Sequence, residues 1–165
     1  MFHIDASQLD HRQLNERIQH SSGTLLITGC LGQRFIGAGA EQGLLEIAGT
    51  PGNALGAYLD GACIEVRGNA QDAVGDTMNG GRIIVHGSIG DAAGYAMRGG
   101  EIYVQGDAGY RAGIHMKAYG DKVPALVIGG TAGSFLGEYQ AGGIILVLGL
   151  SQTGRPIVSN FPCTG

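Results

Sequence analysis

The residues able to do chemistry recur at one spacing. Asp72 and Asp91 stand 19 positions apart, and Asn53 precedes Asp72 by the same step. Carboxylates stacked in this way could share a proton, raise each other's pKa and act as a general acid and base. The same residue types at a chain corner cap local backbone groups instead, and that is the favoured reading. The histidines, His3, His11, His20, His86 and His115, have no helical i, i+4 partner and no nearby cysteine, so they read as surface residues and not as ligands. The three cysteines (Cys30, Cys63, Cys163) form no Cys-x-x-Cys pair and read as reduced, mostly buried thiols. One Gly-x-Gly occurs (Gly37, Gly39), but Gln42 stands where a third glycine would, and neither Lys117 nor Lys122 completes a phosphate loop. No Gly-x-Ser-x-Gly elbow is present. The expectation is a chain with no catalytic residue, no cofactor and no metal of its own.

These residues sit in a repeat. Leu44–Ala62, Cys63–Gly81 and Arg82–Gly100 align at a period of 19, with further copies starting at Glu101, Ala125 and Ile144 and a degenerate one over Leu25–Gly43. The copy from Glu101 carries five extra residues within Lys117–Pro124. Position 6 is glycine at Gly49, Gly68, Gly87, Gly106, Gly130 and Gly149, and position 13 at Gly37, Gly56, Gly75, Gly94, Gly113 and Gly137. Position 2 (Leu26, Leu45, Ile64, Ile83, Ile102, Leu126, Ile145) and position 4 (Ile47, Val66, Val85, Val104, Ile128, Val147) are apolar. A spacing of two between apolar, β-branched residues marks one face of a strand. The glycines read as corners with φ > 0. Nineteen residues are too few for a βαβ unit of about 30. They suffice for one turn of a parallel β-helix, an all-β solenoid of about seven rungs. Positions 12 and 16 supply further inward stacks.

Residues 25–154 thus form the repeat domain and 1–24 an N-terminal cap. The cap holds a short helix over Ser7–Gln19, with Ser7 as N-cap and Leu9, Leu14 and Ile18 on one face. Residues 155–165 read as a tail or a partial further rung. Thirty-two glycines against four prolines, without a strict Gly-x-y period, exclude collagen, and 44% hydrophobic residues exclude a disordered linker. A net charge of −4 without a basic run argues against nucleic acid and acidic membranes. No signal pattern opens the chain, so a cytoplasmic protein is expected.

One column suggests a partner. Position 3 points away from the core and reads Ile27, Glu46, Glu65, Ile84, Tyr103, Val127, Leu146: charged in the middle, apolar later, and position 5 ends similarly at Leu148. Ile84, Tyr103, Val127 and Leu146 would make an exposed stripe, covered by the chain's own tail or by a protein interface. Lys117 and Tyr119, in the inserted loop, join the candidate interface. Self-association through the stripe or an open rung is a further possibility.

The runs GTPGNALGAYLDGA, GNAQDAVGDTMNGG, GDAAGYAMRGGEIYVQG and GYRAGIHMK, with the helix DHRQLNERI, resemble the C-terminal glycine-rich repeat domain of the glutamate synthase large subunit, in its stand-alone form. The similarity spans about Asp5 to Gly154. A broader relative is the formylmethanofuran dehydrogenase component built on similar repeats. The resemblance implies a right-handed β-helix serving as a non-catalytic scaffold inside an oxidoreductase. Its partners would be a glutamine amidotransferase and a synthase subunit holding FMN and iron–sulfur clusters, which reductively aminates 2-oxoglutarate. A scaffold in a formylmethanofuran-dehydrogenase-like complex is the alternative, and a free-standing β-helix enzyme a third. The family's domain carries no catalytic residue to transfer. Members typically continue with more glycine-rich sequence, whereas this chain stops at Gly165.

Overall fold

A computed structural model describes residues 1–150. Eight strands form one all-parallel sheet in sequence order: β1 (Phe2–Asp5), β2 (Thr24–Leu31), β3 (Leu44–Thr50), β4 (Asp60–Val66), β5 (Gly80–Val85), β6 (Glu101–Val104), β7 (Ala125–Ile128) and β8 (Ile144–Val147). Leu44 pairs with Cys63, Cys63 with Arg82, and Arg82 with Glu101, so each rung lies directly over the next. Strand neighbours about 4.8 Å apart give a β-solenoid roughly 34 Å tall. The all-β parallel β-helix expected from the period is the observed fold.

The core is a set of vertical stacks. Position 2 is filled by Leu45, Ile64, Ile83, Ile102 and Leu126, two residues before Ile47, Val66, Val85, Val104 and Ile128, and all are buried. The opposing walls contribute Ile36, Leu55, Val74, Ala93 and Ala112, then Leu59, Met78, Met97 and Met116. Ala70, Ile89 and Ala108 form another inward column. Towards β8 this burial fades, and Leu136, at position 12, is 42% exposed.

The N-terminal end differs from the sequence reading in three ways. Phe2–Asp5 is a strand, pairing Ile4 with Ile27, so the solenoid starts one strand earlier. Helix α1 spans His11–Gln19 and is capped by Asp10, not Ser7. Asp10 Oδ1 accepts from the N–H groups of Arg12 and Gln13, both at 2.8 Å, and Gln13 Oε1 accepts from Asp10 N–H at 3.0 Å. A full carboxylate in a reciprocal box outcompetes a serine hydroxyl. Ser7 instead donates its N–H to Asp5 Oδ1 at 2.9 Å. Leu14 and Ile18 of the helix enter the core, and Leu9 packs on it.

The first repeat copy also shifts by one residue. Leu25, Leu26 and Ile27 pair with Leu45, Glu46 and Ile47, so Leu25 and Ile27 point inward and Leu26 outward. The reading that put Leu26 at the inward position 2 and Ile27 in the outward column is corrected. An irregularity between Ile27 and Cys30 absorbs the extra residue and restores the period.

The two glycine columns work differently. At position 13, Gly37, Gly56, Gly75, Gly94, Gly113 and Gly137 all have φ between +64° and +72°. At position 6 only Gly49 and Gly149 have positive φ. Gly68, Gly87, Gly106 and Gly130 do not, so the φ > 0 reading fails there. They are held to glycine by close stacking: a Cβ on Gly68 would sit 3.0 Å from Gly49 O, and one on Gly106 2.9 Å from Gly87 O.

Candidate protein interface

The polar residues of the repeat are spent on holding one rung to the next. Asn53 Oδ1 accepts from Asp72 N–H at 3.3 Å, Asp72 Oδ1 from Asp91 N–H at 2.9 Å, and Asp91 Oδ1 from Tyr110 N–H at 2.8 Å. A parallel ladder runs from Asn69 to Ser88 N–H, Ser88 to Asp107 N–H and Asp107 to Thr131 N–H, at 2.8, 3.0 and 2.7 Å. Asp72 and Asp91 are therefore acceptors for corner N–H groups, as corner residues were expected to be, but the N–H groups they cap lie 19 residues on, in the next rung, and not locally.

Among the described residues no reactive centre competes with this reading. All five histidines are exposed. Cys30 and Cys63 are free thiols. Burial pushes the Cys30 thiol up to about 11, against a hydrogen bond from Gln33 that favours the thiolate. Burial also raises the half-buried Cys63. Neither carries the depressed pKa of a nucleophile. Cys163 lies outside the described residues. Among the described residues no three His, Cys, Asp or Glu side chains gather where they could hold a metal ion, and no helix is long and apolar enough to cross a membrane. A cleft of about 590 Å³ lies beside α1, between His11, Arg12 and Asn15 on one side and Phe35 and Glu41 on the other. It contains no buried polar group that would orient a ligand.

The outer face of the sheet divides into two halves. On β3 and β4, and at the edges of β5 and β6, it is charged and self-paired: Glu46–Arg67 at 2.9 Å, Glu65–His86 at 2.8 Å and Arg82–Glu101 at 2.7 Å. Below, Ile84, Tyr103, Val127 and Leu146 pair strand to strand and form one column. Ile84 and Val127 are half-buried, whereas Tyr103 is 37% and Leu146 47% exposed. Leu148, where position 5 also ends apolar, and Ile144, missed in the sequence, extend this apolar surface; both are outward and exposed. The signal was present, since positions 1 and 5 flank position 3 on the same face.

The inserted loop is a small hairpin. Tyr119 and Lys122 exchange backbone hydrogen bonds at 3.1 and 3.0 Å around Gly120, whose φ is +58°. Lys122 Nζ reaches back to Asn79 O at 3.0 Å and to Asp60 Oδ1 at 3.5 Å, strapping earlier rungs. Lys117 is exposed and its backbone bridges Ala141, and Tyr119 is 67% exposed. Both lie on the corner leading into β7 and not in the apolar column itself.

Sequence reasoning missed a second surface. Tyr95, Tyr110, Phe135 and Tyr139 are exposed, with His115 stacked on Tyr139 at 5.0 Å and Arg111 over Phe135 at 5.0 Å. Several of these residues occupy positions 11 and 15, where Arg111, His115, Phe135 and Tyr139 all have positive φ. Nothing in their residue types announces a left-handed backbone.

A stack of near-identical rungs, tied by side-chain ladders that run from each corner to the next, defines a parallel β-solenoid repeat protein. The chain belongs to the GXGXG motif family, the glycine-rich repeat family of the glutamate synthase C-terminal domain, which matches residues 7–161. It is 49% identical over 162 residues to the uncharacterized protein MJ1350 of Methanocaldococcus jannaschii, covering 93% of this chain. The chain spans 62% of that relative's length. No solved structure matches it.

Proposed function

We propose that this chain is a non-catalytic scaffold subunit of a glutamate-synthase-like oxidoreductase in the cytoplasm. The observation that carries the reading is the family match over residues 7–161. The ladders support it, because the carboxylates best spaced for acid–base chemistry are engaged with backbone N–H groups. Glutamine-dependent release of ammonia and reductive amination of 2-oxoglutarate then belong to partner polypeptides. One partner would be an amidotransferase and another a synthase subunit with FMN and iron–sulfur clusters. This chain would supply a stiff post against which they are held.

The test is affinity purification of the tagged full chain from its native cell, with the co-purifying polypeptides identified. An amidotransferase and an FMN synthase subunit in stoichiometric amounts are expected, with glutamine-dependent glutamate formation in the eluate. A molybdenum or tungsten subunit in their place would overturn the reading. So would near one flavin per chain on the chain purified alone.

A further inference from the structure

The outward positions of β7 and β8 carry no charged or polar side chain: Ala125 and Val127 on one strand, Ile144 and Leu146 on the next, with Leu148 just beyond. Tyr103 completes the surface on β6. This contrasts with the ion-paired rungs above, where each charge already has a neighbour. Three strand spacings of about 4.8 Å by about five residues at 3.3 Å give a face roughly 14 Å by 17 Å. Its area, roughly 240 Å², is about a third of the 800 Å² or so per side that a stable dimer requires. A second copy pressed on this face alone would not hold, and any element seated here must belong to a partner that also contacts the chain elsewhere. The rungs above offer little more, since their charges are satisfied within the chain. One α-helix is about 10–12 Å across, and three turns of it cover about 16 Å.

We propose that the outer face of β6–β8 seats one amphipathic helix of about three turns, supplied by a partner polypeptide, with apolar residues at i, i+3, i+4 and i+7. This rests on the scaffold reading for the identity of the partner but not for the shape of the seat. The helix would lie along the strands, its apolar face over Val127 and Leu146 and its polar rim near the Arg82–Glu101 pair.

The experiment places a photo-crosslinking benzoylphenylalanine at position 127 or 146 of the full chain, in its native cell, with position 67 on the ion-paired half as control. Adducts are mapped by mass spectrometry. The expected result is adducts from 127 and 146 on residues three or four apart in one segment of another polypeptide, and none from 67. In the same cells Val127→Asp should weaken recovery of that polypeptide by about tenfold or more, the scale of a central contact. The variant's circular dichroism and melting, unchanged from wild type, would separate lost docking from lost folding. Adducts on residues 151–165 of the same chain, on a second copy, on a segment without helical spacing, or no adduct at all would each overturn the proposal. If the helix is found but belongs to neither an amidotransferase nor a synthase subunit, the seat stands and the scaffold assignment falls.

Discussion

At the residue scale, this fold is a matter of backbone conformations that most residues resist. Position 13 asks for φ near +65°, and glycine meets it without cost. Not every glycine is equally constrained. A Cβ on Gly94 would find only ordinary contacts, the nearest being Met116 Cε at 3.6 Å. Gly94→Ala should therefore lose only the left-handed strain, about 1–2 kcal/mol. Gly49 is different, because its Cβ would run into Cys30 O, which is backbone and cannot yield. Gly49→Ala, which adds this clash to a positive φ of its own (+134°), should cost more than Gly94→Ala in chemical denaturation; the reverse order would show that the clash with Cys30 O is not what holds Gly49 to glycine. Ala92 holds φ +56° without being glycine. Ala92→Gly relieves that strain but adds unfolded-state entropy, leaving a net gain of up to about 1 kcal/mol, seen as a raised melting temperature. The ladders make a sharper test. Asp91→Ala should remove the acceptor for Tyr110 N–H and cost about 1–2 kcal/mol, while Asp91→Asn keeps the oxygen and should lose less. Equal losses from both would mean that charge, and not the hydrogen bond, matters at this site.

At the element scale, strands β3–β8 were legible because positions 2 and 4 alternate against the core with β-branched residues, a pattern that only a strand satisfies, whereas β2 was found with its faces exchanged because an extra residue precedes Cys30. β1 was hidden, since Phe2–Asp5 is four residues long with only Ile4 facing in, too short for periodicity to register. The helix was found, but its start was misplaced because Ser7 and Asp10 are both good caps. The choice was made by Gln13, whose side chain returns to Asp10 N–H. Hydrogen bonds from Gln13 and Arg12 hold the Asp10 carboxyl below its ordinary value of 3.8. A depressed carboxylate stabilises the fold above its unfolded pKa, and that contribution is lost as pH falls through the lower folded value. Amide exchange in His11–Gln19 should therefore accelerate, relative to β3–β6, as the pH falls below the ordinary carboxylate range. An Asp10→Ala chain should show the fast exchange already at neutral pH. Indistinguishable exchange in the two chains at neutral pH would remove Asp10 from the cap. The left-handed residues at positions 11 and 15 were not legible at all: alanine, threonine, arginine and tyrosine carry no mark of φ > 0, and the stacking of neighbouring rungs imposes it.

At the scale of the whole molecule, the division of the outer sheet face was the most informative thing in the sequence. It was readable because a fixed register turns a one-dimensional column into a stripe. Its breadth was legible only in part: Leu148 at position 5 was seen to extend it, but Ile144 joins it only once position 1 is seen to share the face. Each exposed pair on the charged half contributes little, about 0–1 kcal/mol, so that half is a solvated surface. The apolar half forgoes burial worth several kcal/mol at about 25 cal/mol per Å². Tyr103→Glu with Val127→Glu should leave the β-helix folded, by circular dichroism and melting, while abolishing assembly. The measurement that tests the scaffold account most directly is the mass and composition of the native complex, taken in parallel for the wild-type chain and this double variant. The account predicts that wild type co-elutes with an amidotransferase and an FMN-bearing synthase subunit and that the folded variant elutes alone. A wild-type chain that elutes alone, or a double variant that retains its partners, would contradict it.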